Sequence, residues 1–175
     1  MDKLKILVVD DESRMRKLVR DFLEREGYAV LEAGDGMEAM DIFYEEKDIA
    51  LIILDVMMPH MDGWQTCREI RKESKVPIIM LTDGIEIDKA AHMVKIDGKP
   101  IELSYKEFEL LTYFVENQGI ALSREKILNN VWNYDYFGDA RTIDTHVKKL
   151  RSKLGDKGDY IKTIWGMGYK FEVQS

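Results

Sequence analysis

The sequence contains one cysteine, Cys67, three histidines and three prolines in 175 residues. A lone thiol excludes an intrachain disulfide, and with no metal-spaced partners it reads as a buried or helix-surface group in a reducing compartment. No apolar run approaches the roughly 20 residues of a membrane span, and the stretch from Leu4 to Val9 is too short for a signal-peptide core. A cytoplasmic protein without a membrane partner is expected. Internal repeats and low-complexity segments are absent. An overall basic excess is lacking as well, since the net charge is −7. What is present is 45% hydrophobic residues, enough for real cores in one or two domains.

The charge is unevenly spread. Residues 1–83 carry 19 acidic and 12 basic side chains, a net of −7, whereas residues 84–175 carry 14 of each. Arg141 to Lys153 contains five basic residues against one Asp. A local cluster of this kind matters more for binding a polyanion than the sum over the chain.

The front half alternates strand and helix. Leu4–Val9 is a continuous apolar run ending in two Asp, as expected of a strand buried on both faces. Met15, Leu18, Val19, Phe22 and Leu23 follow at helical spacing, with Ser13 as the expected N-cap and Gly27 beyond the C-terminus. Tyr28–Leu31 reads as strand two, and Asp35 with Glu38 opens helix two in the manner of a capping box. Ala50–Leu54, Trp64–Glu73 and Pro77–Leu81 read as strand, helix and strand. Such a β-α series implies an α/β fold with a parallel sheet and right-handed crossovers.

The pattern changes at Asp83-Gly84, a turn signal. Ile85–Ile87, His92–Ile96 and Lys99–Leu103 read as short antiparallel strands, with Asp97-Gly98 as a hairpin turn. Ser104 with Glu107 starts a helix whose Phe108, Leu111, Phe114 and Val115 form one stripe. Ser123–Val131 and Arg141–Leu154 are two further helices, and Tyr160–Val173 is a closing hairpin. This half is expected to be a separate α+β domain, with the boundary between domains 1–83 and 84–175.

In a parallel α/β sheet, residues just past the carboxyl ends of the strands gather in one crevice. Asp10 and Asp11 follow strand one, Asp55 follows strand three, and Thr82 ends strand four. Carboxylates gathered at one point repel unless a cation joins them. An all-oxygen ligand set of modest size suits Mg²⁺, completed by water and phosphate oxygens. An exposed Asp beside that metal can act as nucleophile toward a phosphoryl donor. Any one of these Asp residues alone would read as a helix cap or a solvated loop carboxylate.

On the helix Arg141–Leu154, Ile143, Val147, Leu150 and Leu154 fall within a narrow arc and should face a core. Arg141, Thr145, Lys148, Lys149 and Ser152 lie opposite, with His146 and Arg151 on the flanks. Taken alone, that face could be no more than a solvated charged surface.

The phrases KILVVDDE, LDVMMPHMDGW and VPIIMLT in front, and RTIDTHVKKLRSKLG and TIWGMGYKF behind, resemble a two-component response regulator of the OmpR/PhoB class, which implies an incomplete flavodoxin-like receiver with a parallel sheet joined to an α+β winged helix-turn-helix domain. The resemblance implies a phosphoacceptor at Asp55 and a Mg²⁺ site made by Asp10, Asp11, Asp55 and the backbone carbonyl of Met57, with Asp10 acting mainly through water. It implies a switch hydroxyl at Thr82, phosphorylation by a cognate sensor histidine kinase, and a winged helix bound to double-stranded DNA. Base edges would be read by Asp144, Thr145 and Lys149, phosphates held by Arg141, His146, Lys148 and Arg151, and the minor groove approached by Lys162 and Thr163. Where many relatives carry Arg in the wing, this chain has Trp165. Trp132 to Gly138 corresponds to the loop through which family members touch RNA polymerase.

The departure lies after Thr82. Receivers continue with a helix, a fifth strand opening with a Lys, and a fifth helix; none of these is recognisable here. Lys99-Pro100 mimics the Lys-Pro of the missing strand but stands within IDGKPIELSYKEFELL, a phrase of the DNA-binding domain. Without its fifth strand, the apolar strand Pro77–Leu81 would be an open edge, to be covered by the strands from Ile85 onward, by another protomer or by an exchanged segment. A homodimer with constitutive DNA binding is the expected remedy. Two other readings compete. One is a phosphorylation-incompetent receiver remnant serving only assembly. The other is an aspartyl phosphatase or mutase, which needs a second Asp two residues after the nucleophile, where this chain has Met57.

Overall fold

The computed structural model describes residues 2–58, 60–132 and 139–173. They form two compact units: residues up to Thr82 with Glu86–Ala91, and Asp83–Ile85 with the chain from His92 onward.

The first unit alternates β1 (Lys5–Val9), α1 (Ser13–Arg25), β2 (Ala29–Ala33), α2 (Gly36–Glu45), β3 (Ile49–Asp55), α3 (Gly63–Arg71) and β4 (Ile78–Thr82). Its strands run in the order β2-β1-β3-β4, and every pair from β2 to β4 is parallel. The central strands are apolar on both faces because helices cover both: Leu7, Ile52 and Leu54 have no exposed surface. Helix starts follow local chemistry. Asp35 accepts from the Glu38 N–H at 2.8 Å, and Asp62 with Gln65 closes a full capping box at α3. At α1 the expected cap is shifted: Ser13 is the first helical residue and Glu12 the cap, without a side-chain bond. The turn ahead of it is held instead by Asp10, whose carboxylate accepts from the Glu12 N–H at 2.9 Å.

Two features bear on the shortened sheet. β5 (Ile85–Asp88), whose residues 86–88 belong to this unit, follows β4 in the sheet order, so the β4 edge is not open. Asp83 and Gly84 both take positive φ, 40° and 80°, the geometry of the two-residue turn that joins antiparallel strands. The covering is thus the first of the three expected kinds, and an open β4 edge gives no reason for a dimer. The second feature is α1, which buries no residue. Leu18 and Phe22 are 66% and 64% exposed, and Met15 of the same helix is exposed as well. Of the expected apolar stripe of this helix, Met15, Leu18 and Phe22 face solvent, while Val19 and Leu23 are half-buried.

The second unit contains the hairpin β6 (Met93–Ile96) and β7 (Lys99–Ile101), then α4 (Tyr105–Glu116), β8 (Leu122–Ser123), α5 (Arg124–Val131), α6 (Thr142–Leu154), a 3-10 turn (Gly155–Tyr160), β9 (Ile161–Ile164) and β10 (Gly168–Phe171). Asp97-Gly98 makes the second positive-φ hairpin turn, at 49° and 81°. Ser104 and Ser123 cap α4 and α5 through the N–H groups of Glu107 and Lys126. The core is built from Phe114, Val115, Ile127, Ile143, Val147, Leu150 and Phe171, all fully buried. A three-stranded sheet, β8-β10-β9, carries the wing. The two-residue strand β8 leaves no mark in the sequence pattern. It fits because Gly168 lets β10 approach so closely that a Cβ there would collide with the Leu122 carbonyl.

Candidate functional site

In the first unit, β1 and β3 end side by side and deliver their acidic residues to one place. Oxygens of Asp10, Asp11 and Asp55 lie within 4.8 Å of one another. Asp55 accepts from the Met57 N–H at 3.0 Å, and the loop after it is held close by Gly63, whose N–H donates to the Val56 carbonyl at 3.2 Å. A Cβ at Gly63 would collide with the Asp55 carbonyl and the Val56 backbone. The Asp-Gly of LDVMMPHMDGW therefore does two jobs: Asp62 caps α3 and Gly63 permits the close approach that shapes the acidic pocket. The motif alone assigns neither residue a role, although both stand inside the phrase.

The electrostatics fit a cation site. Burial pushes the Asp55 carboxyl up to about 7, with Asp10 and Asp11 adding to the effect and the Met57 N–H opposing it. Burial raises Asp10 as well, against the Glu12 N–H. Carboxylates that resist ionisation for want of positive charge are suited to a hard divalent ion with oxygen ligands. Thr82 ends β4 one residue beyond Leu81, the partner of Asp55 in the β3–β4 register. It is 1% exposed, and among the described residues its Oγ1 has no hydrogen-bond partner. A buried hydroxyl without a partner is costly unless something arrives to use it.

In the second unit, α6 turns Ile143, Val147, Leu150 and Leu154 inward and leaves Arg141, Thr145, Lys148 and Lys149 exposed. No ion pair among the described residues engages Lys148 or Lys149, whereas Arg141 meets Asp139 only at 3.9 Å. The other candidates are engaged within the unit. Asp144 accepts from Arg124 Nε at 2.7 Å and from the Tyr169 hydroxyl. Burial opposes its ionisation, but those two donors hold its carboxyl below the usual carboxylate range. Arg151 donates to the Ile161 carbonyl from Nε at 3.0 Å and from Nη2 at 2.5 Å, and to Thr163 Oγ1 at 2.9 Å. His146 packs against Trp132 with ring centres 4.7 Å apart, and burial with Lys149 nearby lowers its pKa. Lys162 is half-exposed on β9. Arg124 and Tyr169 are buttresses that the sequence reading does not single out. Tyr169 lies within the phrase TIWGMGYKF, and Arg124 follows a helix cap. Of the loop Trp132 to Gly138, residues 133–138 lie outside the described residues.

Residues 6–100 match the model of the response regulator receiver domain, and residues 98–171 that of the C-terminal domain of transcriptional regulatory proteins. The chain is 38% identical over 234 aligned positions to the transcriptional regulatory protein ResD of Bacillus subtilis (strain 168), covering 98% of this chain and 97% of that protein. It is 35% identical over 232 positions to SrrA of Staphylococcus aureus (strain NCTC 8325 / PS 47), covering 97% and 96%. The DNA-binding domain of CpxR from E. coli matches in structure with a TM-score of 0.50 and 28% identity, over 55% of this chain and 98% of that one. The chain belongs to the two-component response regulators of the OmpR/PhoB class, with a receiver domain and a DNA-binding transcription regulator domain. An alignment of 234 positions against a chain of 175 residues leaves at least 59 positions of ResD without a counterpart here. The two family matches overlap at residues 98–100, where Lys99 is an exposed residue opening β7.

Proposed function

We propose that this chain is a cytoplasmic, sequence-specific DNA-binding regulator, not an enzyme. Its α6 reads double-stranded DNA and its Asp55 is the phosphoacceptor for a cognate sensor histidine kinase. The observation that carries the reading is the exposed face of Arg141, Thr145, Lys148 and Lys149, on which Lys148 and Lys149 join no ion pair among the described residues, opposite the buried Ile143, Val147, Leu150 and Leu154. Such a face neutralises phosphates and releases counterions, which makes binding fall steeply with salt. Thr145 and Lys149 are assigned to base edges, and Arg141, Lys148 and Lys162 to backbone phosphates. Asp144, Arg151, His146 and Thr163 are assigned a positioning role because their polar groups or rings are already engaged.

At the pocket, Asp10, Asp11, Asp55 and the Met57 carbonyl would hold Mg²⁺, which supplies charge neutralisation around transferring phosphoryl oxygens. An Asp55 carboxylate oxygen forms the new bond to phosphorus as the donor's phosphorus–nitrogen bond breaks and the imidazole leaves. The buried Thr82 hydroxyl, which has no hydrogen-bond partner among the described residues, would take up a phosphoryl oxygen. With the segment bearing the phosphate-binding Lys missing between 1–83 and 84–175, the dianion gains less support than in an intact receiver, so labelling should be slow or weakly coupled to DNA binding.

Salt titration of DNA binding tests the first part. The expected result is a steep negative slope of log affinity against log salt and discrimination between selected and random duplexes; a flat slope with equal affinities refutes it. Acetyl phosphate labelling tests the second, with signal in the wild type and none in Asp55→Asn. Labelling that persists in Asp55→Asn refutes the site.

The exposed apolar face of α1 favours a second reading, in which the receiver acts chiefly in assembly and the protein binds DNA as a constitutive homodimer. RNA polymerase contact through the segment 132–138 belongs to this proposal as well. A solution molar mass near 20.4 kDa, the mass of one chain, at micromolar concentration would exclude the dimer.

A further inference from the structure

Thr82 is the last residue of β4 and belongs to the first unit, whereas Asp83–Ile85 belong to the second. One peptide bond therefore joins the buried hydroxyl at the end of β4 to a residue held by the second unit. The hold is close. The Asp83 carboxylate accepts from the Tyr160 hydroxyl and from Lys157 Nζ, the latter at 3.4 Å. Lys157 also donates to the Tyr160 hydroxyl at 3.3 Å, and its side chain is only 17% exposed. Gly84 is pinned as well: its carbonyl accepts from the Asp97 N–H at 2.8 Å, and a Cβ on it would collide with the Asp97 carboxylate and press on Lys157. Asp83 takes φ 40°, an uncommon conformation for a residue with a side chain, and these bonds keep it there.

Tyr160 is itself firmly placed. It is buried and ends the 3-10 turn that follows α6. Its ring packs edge-to-face on Phe171 with centres 6.1 Å apart, and its carbonyl accepts from the Glu172 N–H at 2.8 Å. The next residue, Ile161, opens β9, and Arg151 of α6 donates to its carbonyl. A continuous line of bonds thus runs from Asp83 through Tyr160 to the foot of the wing and to the helix whose outer face is basic.

We infer that Tyr160 and Lys157 are positioning residues for Thr82, acting through Asp83, and that this clamp carries the effect of a phosphoryl group at Asp55 to the DNA grip of α6. The inference rests on the assignments of Asp55 as phosphoacceptor and of α6 to DNA. Thr82 is β-branched and sealed in the core. Turning its hydroxyl toward an incoming phosphoryl oxygen by side-chain rotation alone would exchange methyl and hydroxyl in a packed site. The end of β4 therefore shifts with it. Consecutive Cα atoms stay about 3.8 Å apart, so Asp83 shifts too. Its charge-assisted bonds to a well-covered lysine and a buried tyrosine pass the displacement on instead of absorbing it. Such coupling uses only elements that this chain possesses and needs no fifth strand.

The experiment uses the full chain to select a duplex from a randomised library, then measures its affinity with Mg²⁺ in the presence and absence of beryllofluoride, a phosphoryl mimic whose occupancy fluorine NMR reports. Wild type should bind about fivefold more tightly with the mimic, at the low end of allosteric coupling. Tyr160→Phe keeps the ring and removes only the hydroxyl, so it should bring this ratio close to one while leaving affinity without the mimic unchanged. Asp83→Ala should abolish the ratio as well, and Asp83→Asn, whose amide oxygen can still accept from Tyr160, should retain part of it. A merely structural role would weaken both affinities together and preserve the ratio. A ratio that survives in Tyr160→Phe and Asp83→Ala would overturn the clamp; should Asp83→Ala fail to fold, Tyr160→Phe decides. A wild-type ratio of one with the mimic bound would overturn the coupling while leaving the Asp55 and α6 assignments intact. Absence of bound beryllofluoride would remove the Asp55 assignment and the coupling together, and failure to enrich any duplex would do the same for α6.

Discussion

In the first unit, Asp10 and Asp55 sit half-buried among other acids, and both ionise with difficulty. In the second, Asp83 accepts from Tyr160 and Lys157, Glu107 from Lys153 at 3.0 Å, and Asp144 from Arg124 and Tyr169. All three lie below their ordinary pKa. One type of side chain is thus left uncompensated in one unit and compensated in the other. Under the proposed function, the difference marks where each unit would meet its ligand. The first leaves negative charge unpaired at a sheet crevice, where a cation is needed. The second neutralises its acids internally and keeps the cations of α6, Lys148 and Lys149, unpaired at the surface.

Packing follows the same division. α6 buries four residues and α1 none. Leu150→Ala in α6 should cost about 2–5 kcal/mol, the usual range for emptying a fully buried leucine site. Leu18→Ala in α1 should change stability by no more than about 0.5 kcal/mol. Urea denaturation of the two variants checks this. A large loss on truncating Leu18 would show that α1 is covered in solution, and would sharpen the case for self-association through that face.

The acids supply a contrast in pH dependence. Asp55 has its folded-state pKa raised to about 7, above the unfolded value of roughly 4. The folded state then holds the extra proton, and the associated stability is present at low pH and lost as pH rises between those values. With solvent screening allowed for, the loss is on the order of 2 kcal/mol. Denaturation in EDTA should show wild type weakening from pH 5 to 8, while Asp55→Asn weakens much less and exceeds wild type at pH 8. Added Mg²⁺ should recover wild-type stability at pH 8. A wild-type profile that is flat in EDTA would show that Asp55 is better solvated than its packing implies.

The unpaired cations of the second unit should matter for binding and not for folding. Lys149→Ala is expected to weaken selected-duplex binding by about 1–3 kcal/mol and to relax specificity at one base position. Its stability should stay within about 0.5 kcal/mol of wild type. A uniform loss over all sequences, with a salt slope smaller by about one, would move Lys149 from a base edge to a phosphate.

How far the sequence discloses these differences depends on the range of each interaction. The β-α alternation, the caps at Asp35, Ser104 and Ser123, and the turns at Asp83-Gly84 and Asp97-Gly98 are settled within four or five residues, so pattern and propensity reveal them. The three pocket acids can be read because a parallel sheet gathers its strand ends at one edge. The bonds that engage Asp144 come from Arg124 and Tyr169, which are 20 and 25 residues away. On a helical wheel Asp144 looks as free as Lys149. Similarly, β8 depends on the close approach of Gly168, and β5 takes the β4 edge although its sequence suggests the start of the next domain. The exposure of Leu18 and Phe22 is invisible to periodicity, which shows that a stripe exists and not whether anything covers it.

The smallest effect is expected where that long-range pairing can be trimmed by one atom. Tyr169→Phe removes the hydroxyl that Asp144 accepts and leaves Arg124 in place. Asp144 is partly exposed, so the loss at pH 7 should be about 1 kcal/mol. The sign of its pH dependence separates the two units. A carboxylate whose folded pKa is depressed contributes stability above its unfolded value of roughly 4 and loses it as pH falls through the folded value. The gap between wild type and Tyr169→Phe should therefore be full at pH 7 and close below about pH 4, as Asp144 takes up a proton in both proteins. That is the reverse of the Asp55 comparison: there wild type loses stability relative to its variant as pH rises, and here it gains. Denaturant midpoints from pH 3 to 7, monitored on the second unit's tryptophans, provide the measurement. A gap that stays constant across the range would mean that the hydroxyl acts through packing and neutral hydrogen bonding, and that the second unit's acids owe less to their partners than the first unit's acids owe to the lack of any.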